Sequence, residues 1–323
     1  MEAMRHSLFF RPATVGIVLV IATAIISGVS TFVNFWAVQG TNSDAFITAR
    51  NLLVAVLLVP MALLAGREVR VRLRTADWAR LATIGLVGGA IPFLLFFRGL
   101  QMAGSSGAAT ATFGYRTLFL LATLFAVVFL KERLSTRTFL AAVLLLGGNA
   151  LLLSLNAPMW SDGTAFVLAA TALWAGEYAL SKRTLRDLPS SAVALGRMGF
   201  GGLFLIGYLA ISGQLSAVTV LSGPQWNWVA ISAILLVGFV STWYAGLKTV
   251  DLSTATSVLV LAFPITWALG VFAGRTPVGI AQASGVVAVV LGVVVAVGAA
   301  SLRDTWDLVA YTIATRMRSV ARP

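Results

Sequence analysis

The sequence predicts an all-α integral membrane protein with ten transmembrane helices, arranged as two inverted five-helix repeats. Three observations support this prediction: the composition, the positions of the basic residues, and an internal repeat. Of the 323 residues, 59% are hydrophobic and only 11% are charged, whereas a soluble domain has roughly 25% charged residues. The apolar residues also occur in blocks of about 20, which is the length that a helix needs to cross a bilayer.

The predicted helices follow from these blocks in order. The blocks are continuous rather than alternating, which indicates helices and not the strands of a membrane barrel. The first block follows Arg5 and Arg11, is longer than the apolar region of a signal peptide and has no clear cleavage site, so it is predicted to be a helix. The ten predicted spans are residues 13–36, 44–65, 78–98, 106–130, 137–155, 162–182, 190–212, 226–247, 253–273 and 278–300.

The basic residues predict the orientation of these helices. With the amino terminus in the cytoplasm, 18 of the 23 Lys and Arg residues fall in cytoplasmic segments, two on the opposite side and three inside helices. This bias follows the positive-inside rule, and it predicts a multi-pass protein of the cell (plasma or inner) membrane with both termini in the cytoplasm. The net charge of +12 is therefore attributed to loops and not to nucleic-acid binding.

An offset of 147 residues relates the two halves of the chain. It carries Arg50 onto Arg197, Gly16 onto Gly163, and residues 99–103 onto residues 246–250. Each half holds five helices, and an odd number makes the second half enter the membrane from the opposite side. Such inverted repeats are typical of secondary transporters, which bind their substrate near the midplane between the repeats.

The predicted organisation has four parts. A cytoplasmic segment, 1–12, precedes the repeats 13–155 and 161–301, and a basic tail, 302–323, ends the chain. Apolar residues recur at helical spacing in the tail, which predicts either a helix on the anionic inner leaflet or a frayed segment.

Three motifs extend the prediction to a family. They are Phe-Leu-Lys-Glu-Arg-Leu-Ser at 129–135, Ser-Ser-Gly-Ala-Ala-Thr at 105–110, and Leu-Trp-Ala at 173–175 with Leu-Ser-Lys-Arg at 180–183. Across both halves the chain resembles the EamA-type branch of the drug/metabolite transporter superfamily. The resemblance implies export of a small metabolite by alternating access.

The chain departs from the family pattern at two positions. Helix four has Thr117 where the family usually has a proline, although helix nine has Pro264. Near Gly274 the second half also lacks a counterpart of Glu132. Pro92 and Pro264 are expected to kink helices three and nine and to free carbonyls toward a cavity.

Charged residues inside the membrane are the first candidates for function, because each is costly there without a partner or water. Arg116 lies about ten residues into helix four, roughly 15 Å along it and so near the midplane. It is expected either to bind an anionic group of the substrate or to pair with Glu177. Glu177 could carry a proton, bind a substrate amine, or pair with Lys182 or Arg183.

The remaining candidates are two arginines and five aromatic residues. Arg50 and Arg197 lie six to eight residues into their helices and are expected nearer the outer surface, where they either snorkel or bind a substrate carboxylate. The aromatic candidates could wall a pocket or simply pack at interfaces. They are Tyr115, Trp174, Tyr178, Trp243 and Tyr244.

Several functions remain open at this point. The favoured solute is an amino acid or another carboxylate-bearing or amphipathic molecule, driven by the proton gradient or by exchange. A flippase for lipid-linked sugars is one alternative. A membrane-embedded lipid enzyme is another, but the chain has no cysteine and only one histidine, His6. No enzymatic activity, metal or cofactor is therefore expected, while a homodimer is compatible with the pattern.

Overall fold

The computed structural model describes residues 12–37, 41–69, 73–154, 160–274 and 278–320, and these residues are helical apart from short connections. One helical stretch is a π-helix, Gly85–Ala90, between α3 and α4. The α-helices are α1 Pro12–Ala37, α2 Ser43–Val69, α3 Thr75–Ile84, α4 Ile91–Arg116, α5 Leu118–Leu130, α6 Thr136–Leu152, α7 Asp162–Thr184, α8 Ser190–Ile211, α9 Ser216–Thr219, α10 Gly223–Thr249, α11 Leu252–Leu259, α12 Ala262–Phe272, α13 Ile280–Val297 and α14 Ala299–Val320.

These helices build ten membrane-spanning segments. Within the described ranges, eight helical stretches are long and apolar enough to cross a membrane, and α6 is a shorter apolar helix. The tenth segment, α7, is less apolar because it carries Glu177, Lys182 and Arg183 in addition to Asp162. The predicted all-α fold with ten helices is thus confirmed.

The third and fourth spans, which share α4, run in opposite directions. Helix α4 runs from Ile91 to Arg116, yet the rings of Phe96 and Tyr115 have centroids only 5.1 Å apart. Nineteen residues of a straight α-helix would separate them by about 28 Å. The chain therefore reverses within α4, so that α5 continues the second arm of a hairpin.

Contacts between the repeats show that they are inverted. On α6 and α13, which are equivalent helices, Gly292 packs against Leu145 and Gly285 packs against Leu152. This register runs in opposite directions along the two helices, so they are antiparallel. Close helix contacts also recur at the 147-residue offset, because Gly16 packs against residues 246–250 of α10, and Gly163 packs against residues 99–103 of α4.

Two spans are discontinuous at related positions. The fourth span breaks at Thr117, between α4 and α5, and the ninth breaks at Val260 and Leu261, between α11 and α12. Pro264 lies in the first turn of α12 and Pro92 in the first turn of α4, where proline is tolerated because the N–H groups have no partner within the helix. The break at Val260 and Leu261 therefore lies just before Pro264, whereas the break at Thr117 has no proline after it.

Candidate functional site

An ion pair lies in the interior between α7 and α8. The Arg197 Nη1 atom is 3.6 Å from Glu177 Oε2, and the two residues are 4% and 0% exposed. The Tyr244 hydroxyl donates to Glu177 Oε1 at 2.8 Å, and the Ser181 hydroxyl donates to the same atom. The carboxylate thus has hydrogen-bond donors at one oxygen and a cation beside the other.

The π-helix supplies a backbone acceptor to this ion pair. The Gly88 carbonyl accepts from Arg197 Nη2 at 3.2 Å and from Trp174 Nε1 at 3.1 Å. Gly88 also lies against Glu177, since a Cβ there would be 2.5 Å from Glu177 Cγ. A π-helix leaves carbonyls outside the regular α-helical ladder and is frequent at functional sites. Here it lets a backbone oxygen bind a buried cation and an indole together.

Arg50, the repeat partner of Arg197, is also buried, at 5% exposure. Its guanidinium donates to Asn51 Oδ1 at 3.2 and 3.3 Å and lies 5.1 Å from the centroid of the Phe93 ring. Asn51 in turn donates to the Gly89 carbonyl at 3.0 Å. Both arginines therefore reach the same π-helix, but only Arg197 has a carboxylate partner among the described residues.

The positions of the acidic and basic residues exclude two pairings that the sequence had left open. Glu177 pairs with Arg197, and not with Arg116. It also does not pair with Lys182, whose ammonium instead donates to the carbonyls of Leu247 and Val250 at 2.7 Å.

The expectation that Arg50 and Arg197 both lie near the outer surface is also wrong. Leu52 of α2 packs against Gly202 of α8. Equivalent helices of inverted repeats run in opposite directions, so Arg50 and Arg197 lie on opposite sides of this contact along the helix pair.

Arg116 lies at the centre of the repeat symmetry. Its guanidinium carbon is 4.2 Å from the centroid of the Phe263 ring, and position 263 is the repeat partner of position 116. The two-fold axis of an inverted repeat lies in the membrane plane and exchanges the two membrane faces. Two partner positions that touch must lie near that axis, so the contact locates Arg116 close to the midplane independently of hydropathy.

The Arg116 guanidinium has no carboxylate partner within the described part of the chain, and its buried Nε atom makes no hydrogen bond there. It lines a cleft of about 30 Å³ with Tyr115 and Thr256. Pockets that bind drug-sized ligands usually have about 300–1,000 Å³. In this conformation the cleft is therefore too small to enclose such a ligand.

Aromatic rings connect Arg116 to the ion pair. The Tyr115 and Trp174 rings are 5.4 Å apart, and Trp174 is 5.3 Å from Phe93, which lies under Arg50. On the other side of the ion pair, the Tyr178 and Trp243 rings are 4.6 Å apart. The structure thus brings all nine predicted site residues into one connected cluster. They are Tyr115, Arg116, Trp174, Glu177, Tyr178, Arg197, Trp243, Tyr244 and Arg50.

Sequence reasoning missed several members of this cluster. The role of the Gly88 carbonyl cannot be recognised from the type of its side chain. The four-residue spacing of Gly85 and Gly89 predicts only that another helix packs closely there. The role of Phe263 could have been found by applying the 147-residue offset to Arg116. Among the described residues, no three His, Cys, Asp or Glu side chains come together as a metal site.

A second cavity opens sideways between α2, α3 and α8. It has a volume of about 370 Å³, and its lining is apolar apart from Ser191. Leu63, Trp78 and Leu203 are 63%, 52% and 60% exposed at this cavity. Because they belong to helices of membrane-spanning stretches, the cavity is expected to open toward lipid.

Both halves of the chain match one family model. It is described as the EamA-like transporter family, and it aligns with residues 14–154 and again with residues 162–298. No curated protein is significantly similar to the chain. One matching crystal structure of a protein is 23% identical, covers 87% of this chain and 96% of its own, and superposes with a TM-score of 0.68. At that identity the likeness establishes the fold alone.

Proposed function

Because the chain belongs to the EamA-like transporter family, we propose that it is a secondary active transporter that binds a small carboxylate-bearing solute at Arg116. The family consists of membrane transporters of the drug/metabolite transporter superfamily, which are not enzymes. The single observation that carries the proposal is the location of Arg116. It is a cation near the midplane, on the repeat axis, with no carboxylate partner in the described chain.

The surroundings of Arg116 favour an anion with an apolar part. A charge near the bilayer centre is costly unless it has a partner or water, and the other interior arginines already have polar acceptors. A substrate carboxylate would supply the missing partner. Phe263 and Tyr115 flank the guanidinium, so an amphipathic amino acid or related acid fits better than a highly polar anion.

Alternating access explains why the cleft is closed. Both spans that line it are broken, at Thr117 and at Val260–Leu261, and discontinuous helices at the repeat interface form the substrate sites of many transporters. Movement of α11 relative to α5 would widen the cleft toward one face at a time. Export from the cytoplasm is the proposed direction, in a cell membrane with both termini inside.

The proposed energy source is the proton gradient, coupled to transport through Glu177. Exchange of one solute for another is the alternative. A proton on Glu177 would remove the partner of Arg197 and free its guanidinium for a second interaction. Uptake or efflux in vesicles, with and without a pH gradient, separates the two. Transport that is indifferent to the gradient but requires solute on both sides would exclude the proton route.

The test of the binding site is a stability screen of the purified protein against carboxylates and their matching amides. A ligand at 100 times its Kd stabilises the native state by about 2.7 kcal/mol. A stabilising carboxylate should lose its effect in the Arg116→Gln variant and keep it in Arg98→Gln, which changes an exposed arginine of the same helix. Equal stabilisation of both variants would remove Arg116 from the site.

The lateral cavity favours a second candidate, the movement of a lipid-linked solute. Its apolar lining and its opening toward lipid would suit an acyl or polyprenyl chain that stays in the membrane. Filling it with Gly199→Phe should then block transport. If a water-soluble carboxylate is transported equally well by that variant, the flippase function is excluded.

A further inference from the structure

The loop between α10 and α11, residues 250–251, is held by two charged side chains, one from the loop after α5 and one from α7. Glu132 follows α5 and accepts from the Leu252 and Ser253 amides at 2.7 and 3.1 Å, and from the Ser253 hydroxyl at 2.6 Å. Lys182 of α7 donates to the Leu247 and Val250 carbonyls at 2.7 Å. A carboxylate thus caps the start of α11, and an ammonium caps the end of α10.

Both charges match the helix ends that they cap. The first amides of a helix lack acceptors within the helix, and its last carbonyls lack donors. The partial charges there are positive at the start and negative at the end. Asp251, the residue immediately before α11, makes no side-chain cap. Glu132 therefore takes over, from the first repeat, a role that a residue next to the helix usually fills.

The turn after α5 directs Glu132 toward α11. Lys131 adopts a φ of +61°, and the Glu132 amide donates to the Ala126 carbonyl at 3.1 Å. A residue in the left-handed conformation directly after the last helical residue is a common way for a helix to end. It fixes the direction in which the chain leaves the membrane helix.

The repeat partners of these two charged residues are uncharged. The 147-residue offset carries Glu132 onto Gly279 and Lys182 back onto Phe35, and neither is charged. The hairpin inside α4 is the counterpart of the loop between α10 and α11. The two faces, although related by symmetry, therefore differ at the positions of Glu132 and Lys182.

We propose that Glu132 and Lys182 form a latch that holds one face of the transporter shut. This inference rests on the proposed alternating access. The Glu132 contacts join the first repeat to α11, which lines the Arg116 cleft through Thr256. Opening the cleft to this face, predicted to be cytoplasmic, requires α11 to leave Glu132, whereas opening to the other face does not. Opening toward the face opposite the latch breaks no Glu132 contact, so we expect the unloaded protein to open first on that face.

The absence of cysteine from the chain allows a direct test. Thr256 is 1% exposed, and a Thr256→Cys variant would carry a single thiol. A membrane-impermeant maleimide is applied to inside-out and right-side-out vesicles without any solute. We expect Glu132→Gln to increase the labelling rate from the latch face about tenfold, because charge-assisted hydrogen bonds are lost.

Asp187→Asn is the matched control, since it changes a carboxylate just after α7 that pairs with Arg80 and not with the start of α11. Lys182→Met is the second variant and should raise labelling from the same face. Unchanged labelling in both latch variants, or an increase only from the opposite face, would overturn the latch. Because no solute is used, this result is independent of whether Arg116 binds a carboxylate.

Discussion

Replacement of Arg197 by methionine should lower the free energy of unfolding by more than the loss of a buried, uncharged side chain of similar size would. The change removes the ion pair to Glu177 at 3.6 Å and the hydrogen bonds to Tyr244 and Gly88 at 3.3 and 3.2 Å. Glu177 is fully buried, and its Oε2 atom has no other hydrogen-bond partner. Breaking a buried pair by removing one partner costs about 3–5 kcal/mol, because an uncompensated charge is left behind.

A second substitution tests whether the unpaired charge of Glu177 causes this loss of stability. Glu177→Gln removes the charge and keeps an oxygen that can accept from Tyr244. In the double variant with Arg197→Met no buried charge is left unpaired, so it should be more stable than Arg197→Met alone. Double-mutant cycles between contacting residues yield coupling energies of about 0.5–3 kcal/mol, and the upper half of this range is expected here.

Arg50→Met provides the internal control. Arg50 is as buried as Arg197, but it donates to Asn51 and stacks on Phe93 instead of pairing with a carboxylate. Its loss should cost about 1–3 kcal/mol and should not couple to Glu177→Gln. Stability is measured by reversible unfolding in mixed detergent micelles. If the effects of Arg197→Met and Glu177→Gln are simply additive, the ion pair does not stabilise the fold as argued.

Close packing, a helix cap and the C-terminal helix each give a further expectation. Gly163→Val should lower the free energy of unfolding by about 1–3 kcal/mol, because any side chain there meets the α4 backbone. Gly207→Val is the control: a Cβ there has no atom within 4 Å, so the melting temperature should hardly change. Ser135→Ala should cost about 1 kcal/mol through the lost cap of α6, and no change in melting temperature would contradict this. If α14 lies on the membrane surface, brominated lipids should quench the fluorescence of Trp306, which is 72% exposed. Equal quenching of the total fluorescence in a Trp306→Phe variant would contradict this location.

The fold could be predicted from the sequence because the bilayer limits the alternatives. Backbone polar groups must be satisfied within a span, so continuous apolar blocks become helices of predictable length. The predicted span 190–212 corresponds to Ser190–Ile211, and 253–273 to Leu252–Phe272. The break before α12 was less predictable, because Pro264 indicates a disturbance in that span without fixing the residue at which the helix ends.

The pairing inside the site could not be predicted for a different reason. Glu177 and Arg197 lie on adjacent helices joined by a short loop, and which cation reaches the carboxylate depends on helix rotation and rotamer. A sequence pattern fixes neither. The π-helix at Gly88 depends on the packing of its glycines against α8. A backbone carbonyl is present in every residue, so the sequence does not show which carbonyl will bind two side chains.

The contact between Arg116 and Phe263 also bears on how such a protein can arise from two identical halves. In a dimer of one five-helix chain, each residue on the two-fold axis meets its own copy. Two guanidinium groups about 4 Å apart would repel by about 4 kcal/mol at an effective dielectric constant of 20. Once both halves belong to a single gene, one copy can become phenylalanine while the other keeps its charge. Fusion of the halves therefore permits a cation on the axis without a second cation beside it. In a symmetric dimer, that position would suit only a residue that can pack against its own copy.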